Sequence, residues 1–90
     1  MSHWEYRIGF KHHVVNGEES LDYGLIEAYY NDKGDLWLTT ERFIEPSGET
    51  KDELIENLEM MLKDAKKDTP VLDLDKLWKE LEMKELENKL

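Results

Sequence analysis

The chain has no cysteine, which removes disulfides, thiolate metal sites and a cysteine nucleophile together. Reducing and oxidising compartments both accept such a chain. Only two prolines and five glycines punctuate its 90 residues, with no low-complexity stretch and no internal repeat. Apolar runs never exceed two or three residues, which excludes a membrane-spanning helix. The opening Met-Ser-His-Trp-Glu-Tyr-Arg lacks a basic segment followed by an apolar one, so no signal peptide is expected and a cytoplasmic protein is the default. Cations are scarce as well: 12 Lys and Arg face 22 Asp and Glu, for a net charge of −10. Scattered and outnumbered, they argue against direct nucleic-acid binding. The surplus of anions argues against an acidic membrane surface.

What is there suffices for one folded domain. Nine aromatics and a 39% hydrophobic content are too apolar for a disordered acidic tail. A chain of this length buries only about 60–65% of its unfolded surface, enough for one modest core without a deep lidded cleft.

Trp4, Tyr6, Ile8 and Phe10 alternate with Glu5, Arg7, Gly9 and Lys11, the period of a strand with one buried face. Val14 and Val15 prolong it to Asn16-Gly17, a turn dipeptide; Glu18-Glu19-Ser20 suggest a loop longer than the minimal hairpin. Residues 23–30 read as a second strand, apolar on both faces, with Glu27 the odd member. Asn31-Asp32-Lys33-Gly34 reads as a type I turn with a left-handed glycine, leading to a third strand over residues 36–44.

Pro46-Ser47-Gly48 ends the sheet, and Thr50-Lys51-Asp52-Glu53 forms a capping box. Leu54, Ile55, Leu58, Met61, Leu62 and Ala65 recur as one helical stripe. Acids gather in the first turns of this 50–67 helix and lysines in its last, as the helix dipole favours. Val71-Leu72-Asp73-Leu74 is a short strand or an extended lead-in, after which Asp75 caps a final helix. There Leu74, Leu77, Trp78 and Leu81 share one side, while Met83, Leu86 and Leu90 point to the opposite one. Trp78 is expected to cover the sheet edge or the first helix. The second stripe implies either a frayed end or a surface for a partner or a second copy.

The expected fold is therefore α+β: an antiparallel three- to four-stranded meander (β-β-β-α-(β)-α), one amphipathic helix packed on the sheet and a C-terminal helix. Residues 1–74 make the β-β-β-α-(β) domain, and residues 75–90 form the helix appended to it, a single domain overall.

Chemistry-bearing residues are few. Adjacent strand residues face opposite ways, so His12 and His13 cannot converge on one ion, and exposed or edge histidines are the plainer reading. Residues 31–35 lack the alternating oxygens of a calcium loop. Glu27 amid apolar neighbours is a candidate acid or base with Glu41 as its second group; the simpler reading is an ion pair with Arg7 or Arg42. No serine has a nucleophile-elbow context. Ser47-Gly48 precedes a helix N-terminus, but Glu49, Asp52 and Glu53 already hold that end against an anion. No catalytic, cofactor or metal residues are assigned, and an enzyme is not expected.

Residues 46–58 (Pro-Ser-Gly-Glu-Thr-Lys-Asp-Glu-Leu-Ile-Glu-Asn-Leu), with the order of elements, resemble the HicB antitoxin domain. That likeness implies a partial ribonuclease-H-like fold and a protein partner. The chain lacks the family's Pro-x-Leu-Pro-Gly-Cys segment and a ribbon-helix-helix or helix-turn-helix tail. Trp4-Glu5-Tyr6-Arg7, Tyr23-Gly24-Leu25, Glu27-Ala28-Tyr29-Tyr30, Thr40-Glu41 and the 46–50 and 70–72 segments more closely resemble small uncharacterised bacterial proteins opening Trp-x-Tyr-Arg. Neither likeness brings catalytic residues.

Residues 18–50 hold nine carboxylates against Lys33 and Arg42, seven of the ten net negative charges. Displayed as one coherent face, they would steer a basic protein surface from a distance. The expected function is a non-enzymatic acidic binding module that regulates or neutralises a protein partner, antitoxin-like or inhibitor-like. Its contact residues would be Glu18, Glu19, Asp22, Asp32, Asp35, Glu41, Glu45, Met83, Leu86 and Leu90. The alternatives are a nucleic-acid-mimicking inhibitor, a subunit self-associating through the last helix or a sheet edge, and a small acid-base hydrolase using Glu27 and Glu41.

Overall fold

A computed structural model of the chain describes residues 2–88. Two long strands, β1 (His3–Val15) and β2 (Glu18–Tyr30), form an antiparallel hairpin, and β3 (Leu36–Thr39) joins the far side of β2. Helix α1 (Lys51–Ala65) leads to a two-residue strand, β4 (Leu72–Asp73), and then to α2 (Leu74–Asn88). The sheet order is β3-β2-β1-β4. β4 pairs parallel with Gly9 and Phe10 of β1, so the fourth strand falls outside the meander and makes the sheet mixed. The excursion from β3 through α1 crosses two strands, as a parallel return requires.

The first turn is tighter than the acidic residues after it suggest. Asn16 and Gly17 both take positive φ, 52° and 81°, the requirement of a two-residue type I′ turn whose twist matches the strands. Pairing therefore resumes at once with Val15 opposite Glu18. The second turn is as the sequence indicates: Gly34, at φ 83°, donates to the Asn31 carbonyl at 2.9 Å. After Thr39 the strand stops, but Thr40 still donates to the Glu27 carbonyl and Ile44 to that of Leu25. Residues 41–43 bulge outward between those two bonds.

Side-chain alternation separates the two helices. Tyr6 and Leu25 face α1, whereas Gly9, Gly24, Ile26 and Ala28 face α2. Leu74 is fully buried and lies over Gly9, where a Cβ would come within 2.6 Å of it; Phe43 similarly fills the space above Gly24. The cross-strand glycine pair thus seats the start of α2 directly on the sheet. Trp78 covers the sheet at Thr39 and stands 5.1 Å from the Lys11 ammonium; it does not reach α1. Because α2 starts at Leu74, the boundary expected after residue 74 falls within its first turn.

Helix α1 is rotated relative to its apolar stripe. Its sheet-facing positions are Leu54, Asn57, Met61, Asp64 and Ala65, while Ile55, Leu58 and Leu62 remain 40–55% exposed. Polar bonds set this rotation. Asn57 donates to the Tyr6 hydroxyl and accepts from the Ser47 amide, each at 3.0 Å. Asp64 accepts the Tyr6 amide at the uncovered edge of β1, also at 3.0 Å. Thr50 caps α1 through the Glu53 amide, but Glu53 reaches back to the amide of Glu49 rather than that of Thr50.

Candidate partner-binding surfaces

The acidic residues do not form one face. Glu18, Glu19 and Asp22 lie on the projecting end of the hairpin, whereas Asp32 and Asp35 lie in the turn beyond the opposite end of β2. Thirteen residues of strand at about 3.3 Å each separate them by about 40 Å. Strand alternation then divides neighbours between the two faces. Glu19 is bonded to His12 at 2.7 Å and Asp22 stands 4.0 Å from His13. Glu41 and Glu45 are exposed on the segment after β3.

His12 and His13 diverge, as alternation requires, while His3 stacks on Tyr30 with ring centroids 4.7 Å apart. His12 nonetheless finds partners from distant sequence. Its backbone amide donates to Asp75 at 2.8 Å, and its Nε2 stands 3.7 Å from Asp73. Ligand atoms of His12, Asp73 and Asp75 lie within 4.8 Å of one another, a spacing that can hold a cation. Both carboxylates already serve the fold, since Asp73 also accepts the Lys76 amide. The cluster thereby ties the hairpin to the start of α2. The bond from Glu19, with the Asp73 charge behind it, raises the His12 pKa above its ordinary value.

Glu27 is not paired with either arginine. It accepts the Tyr29 hydroxyl at 2.7 Å, which raises the Tyr29 pKa. Arg7 lies opposite Ile26 on the other face, where it donates to the Tyr30 hydroxyl and the Pro70 carbonyl. No second carboxylate, histidine or lysine shares a hydrogen bond with Glu27 among the described residues, and Glu41 is in an exposed bend.

A trough of about 790 Å³ lies between β3 and α2. All four residues of β3 line it, including those whose side chains point to opposite faces. The wall is therefore the free edge of the strand. Trp78, Leu81, Glu82, Lys84 and Glu85 of α2 make the opposite wall, with Asp35 and Glu41 near the ends of β3. Four carboxylates thus face one lysine across an apolar floor. Trp37 and Leu38 are 56% and 46% exposed there.

Of the residues expected at a partner surface, the trough gathers only Asp35 and Glu41; its α2 wall escaped the sequence reading. The available signal was Asp35 and Glu41 bracketing an apolar strand, with Glu82 and Glu85 one helical turn apart. Met83 and Leu86 are more than half exposed away from the trough, and Leu90 lies outside the described residues. A shallower apolar depression of about 430 Å³ is lined by Leu25, Ile44, Pro46, Leu58 and Leu62, where the rotation of α1 leaves its stripe uncovered. No helix among the described residues is long and apolar enough to cross a membrane. No protein-family model matches this chain, and neither does a curated protein or a solved structure.

Proposed function

We propose that this protein is a non-enzymatic acidic module that regulates or neutralises a protein partner with a basic surface, held at the trough between β3 and α2. The observation that carries this reading is the composition of that trough: apolar rings and leucines flanked by four carboxylates and a single lysine. Apolar contact supplies affinity there, and the carboxylates select a basic partner and speed encounter. The net charge of −10 acts in the same sense at long range. The likeness of residues 46–58 to the HicB domain is compatible with an antitoxin-like role.

Other readings have less support. A nucleic-acid mimic needs carboxylates spaced like backbone phosphates along one face, and β2 carries them to opposite ends. Hydrolysis by Glu27 and Glu41 lacks a sheltered pair. Self-association retains one specific observation in its favour, the exposure of Met83 and Leu86. If that stripe were a dimer interface, the Met83→Glu, Leu86→Glu double variant would halve the solution mass of the chain.

Two charge-reversed baits test the main reading. Glu41→Lys with Glu82→Lys alters the trough, and Glu18→Lys with Asp22→Lys alters the hairpin tip by the same net charge. A basic protein retained from lysate at low salt by the wild type and the tip variant, and lost by the trough variant and at high salt, supports the reading. Equal loss from both variants, or no basic protein recovered, contradicts it.

A further inference from the structure

The trough is bounded by a strand edge rather than by a flat face, and this restricts what can fill it. Thr40 donates to Glu27 across the β2–β3 ladder. Hydrogen-bonding direction alternates along a regular strand, so Leu38, opposite Tyr29, also points its amide at β2 and Thr39 points its own outward; beyond Leu38 the register shifts and Leu36 stands opposite Tyr30, with Trp37 the extra residue. The outward Thr39 amide makes no turn, loop or side-chain hydrogen bond among the described residues. Thr39 is only 7% exposed, with Trp78 lying against it and donating to its hydroxyl at 2.8 Å. Water therefore reaches its backbone poorly, and a shielded donor without a partner costs stability.

We infer that the occupant of the trough is an extended, lysine- or arginine-bearing segment of the partner that adds to the sheet as a fifth strand along the outer edge of β3. This rests on the reading of the trough as the partner site and specifies how the partner is held. Main-chain bonds along this edge, the Thr39 amide among them, would satisfy the orphan donor and supply affinity without regard to sequence. Side chains alternate about an added strand. One set would lie on Trp78 and Leu81 with Glu82 beside them; the other would place cations near Asp35 and Glu41 at the ends of β3. A second copy of this chain is disfavoured as occupant, because it would bring its own Asp35 and Glu41 against the same carboxylates. Anionic membranes and nucleic acids are disfavoured by the same repulsion.

Three synthetic probes separate the outcomes. The first alternates lysine and valine so as to favour a strand, the second is the same peptide N-methylated at alternate backbone amides, and the third is an alanine-lysine peptide of equal charge that favours a helix. Each is titrated into the full chain at low salt, with amide NMR shifts and hydrogen exchange as readouts. The strand peptide should shift β3 and the 78–85 face of α2, slow exchange of the Thr39 amide at least tenfold, and show cross-strand contacts to β3. N-methylation of the strand-facing amides should weaken binding at least tenfold.

If the helical peptide occupies the trough while the strand peptide does not, or if N-methylation has no effect, strand addition is wrong and the basic-partner reading survives. If neither basic peptide perturbs the trough, both are wrong. A strand peptide that perturbs mainly the tip carboxylates Glu18 and Asp22 would likewise overturn the assignment.

Discussion

At the scale of single residues, exposed His12 joins the hairpin to the start of α2 through Glu19, Asp73 and Asp75. Periodicity correctly separates it from His13, but periodicity along one strand cannot reveal partners brought by a helix sixty residues later. The bond to Glu19 and the nearby Asp73 hold its pKa above the ordinary 6.5. Stability from this contact is therefore complete below the unfolded-state pKa and is lost as pH rises through the folded value. The titration midpoint of the His12 ring, followed by NMR, should lie above that of a histidine peptide. His12→Gln should remove that part of the pH dependence of the melting temperature. A midpoint at or below the ordinary value would show that the Glu19 and Asp73 contacts are not maintained in solution. Gly9 is a second informative residue. Its missing Cβ is what lets fully buried Leu74 lie on the sheet, and Gly9→Ala should cost about 1–3 kcal/mol in chemical denaturation, the usual penalty for overpacking. An unchanged midpoint would place α2 elsewhere.

At the scale of elements, local patterns were legible where backbone chemistry dictates form. Alternation defines β1, Asn16-Gly17 turns the hairpin, Thr50 caps α1, and the Leu74–Leu81 stripe is the side of α2 that packs on the sheet. The rotation of α1 was not legible, because hydrophobicity weighs Ile55, Leu58 and Leu62 above Asn57 and Asp64. In the fold the two polar residues win, since each satisfies groups at the sheet that no apolar side chain could. Asp64→Ala would leave the buried Tyr6 amide unpaired and remove a contact to Lys67 at 3.2 Å. A loss of about 1–3 kcal/mol is expected from the stranded donor, measurable by urea titration, with faster exchange of the Tyr6 amide as a local signature. If Asp64→Ala were neutral, the apolar stripe rather than these bonds would set the position of α1. The bare edge of β2 near the tip carries Glu18, Glu19 and Asp22, which discourages pairing between copies at an otherwise open strand.

At the scale of the whole molecule, the surplus of acid is real but its arrangement could not be inferred from where it falls in sequence. Residues 18–50 are contiguous in the chain, yet the straight run of β2 carries their charges to two ends of the sheet. The trough proposed as the partner site combines Asp35 and Glu41 with carboxylates from α2 more than forty residues away. Only a tertiary fold brings these together, so the sequence reading found half of the trough and none of its second wall. The chain as a whole is then an anion with one apolar, acid-rimmed edge.

Where the partner sits is read most directly by zero-length carbodiimide coupling in lysate, which joins a carboxylate to a partner lysine in contact with it, followed by mass-spectrometric mapping of the links. The account predicts links from Asp35, Glu41 and Glu82 to lysines of a basic protein, decreasing at high salt. Links concentrated on Glu18 and Asp22, or links only between copies of this chain, would contradict it.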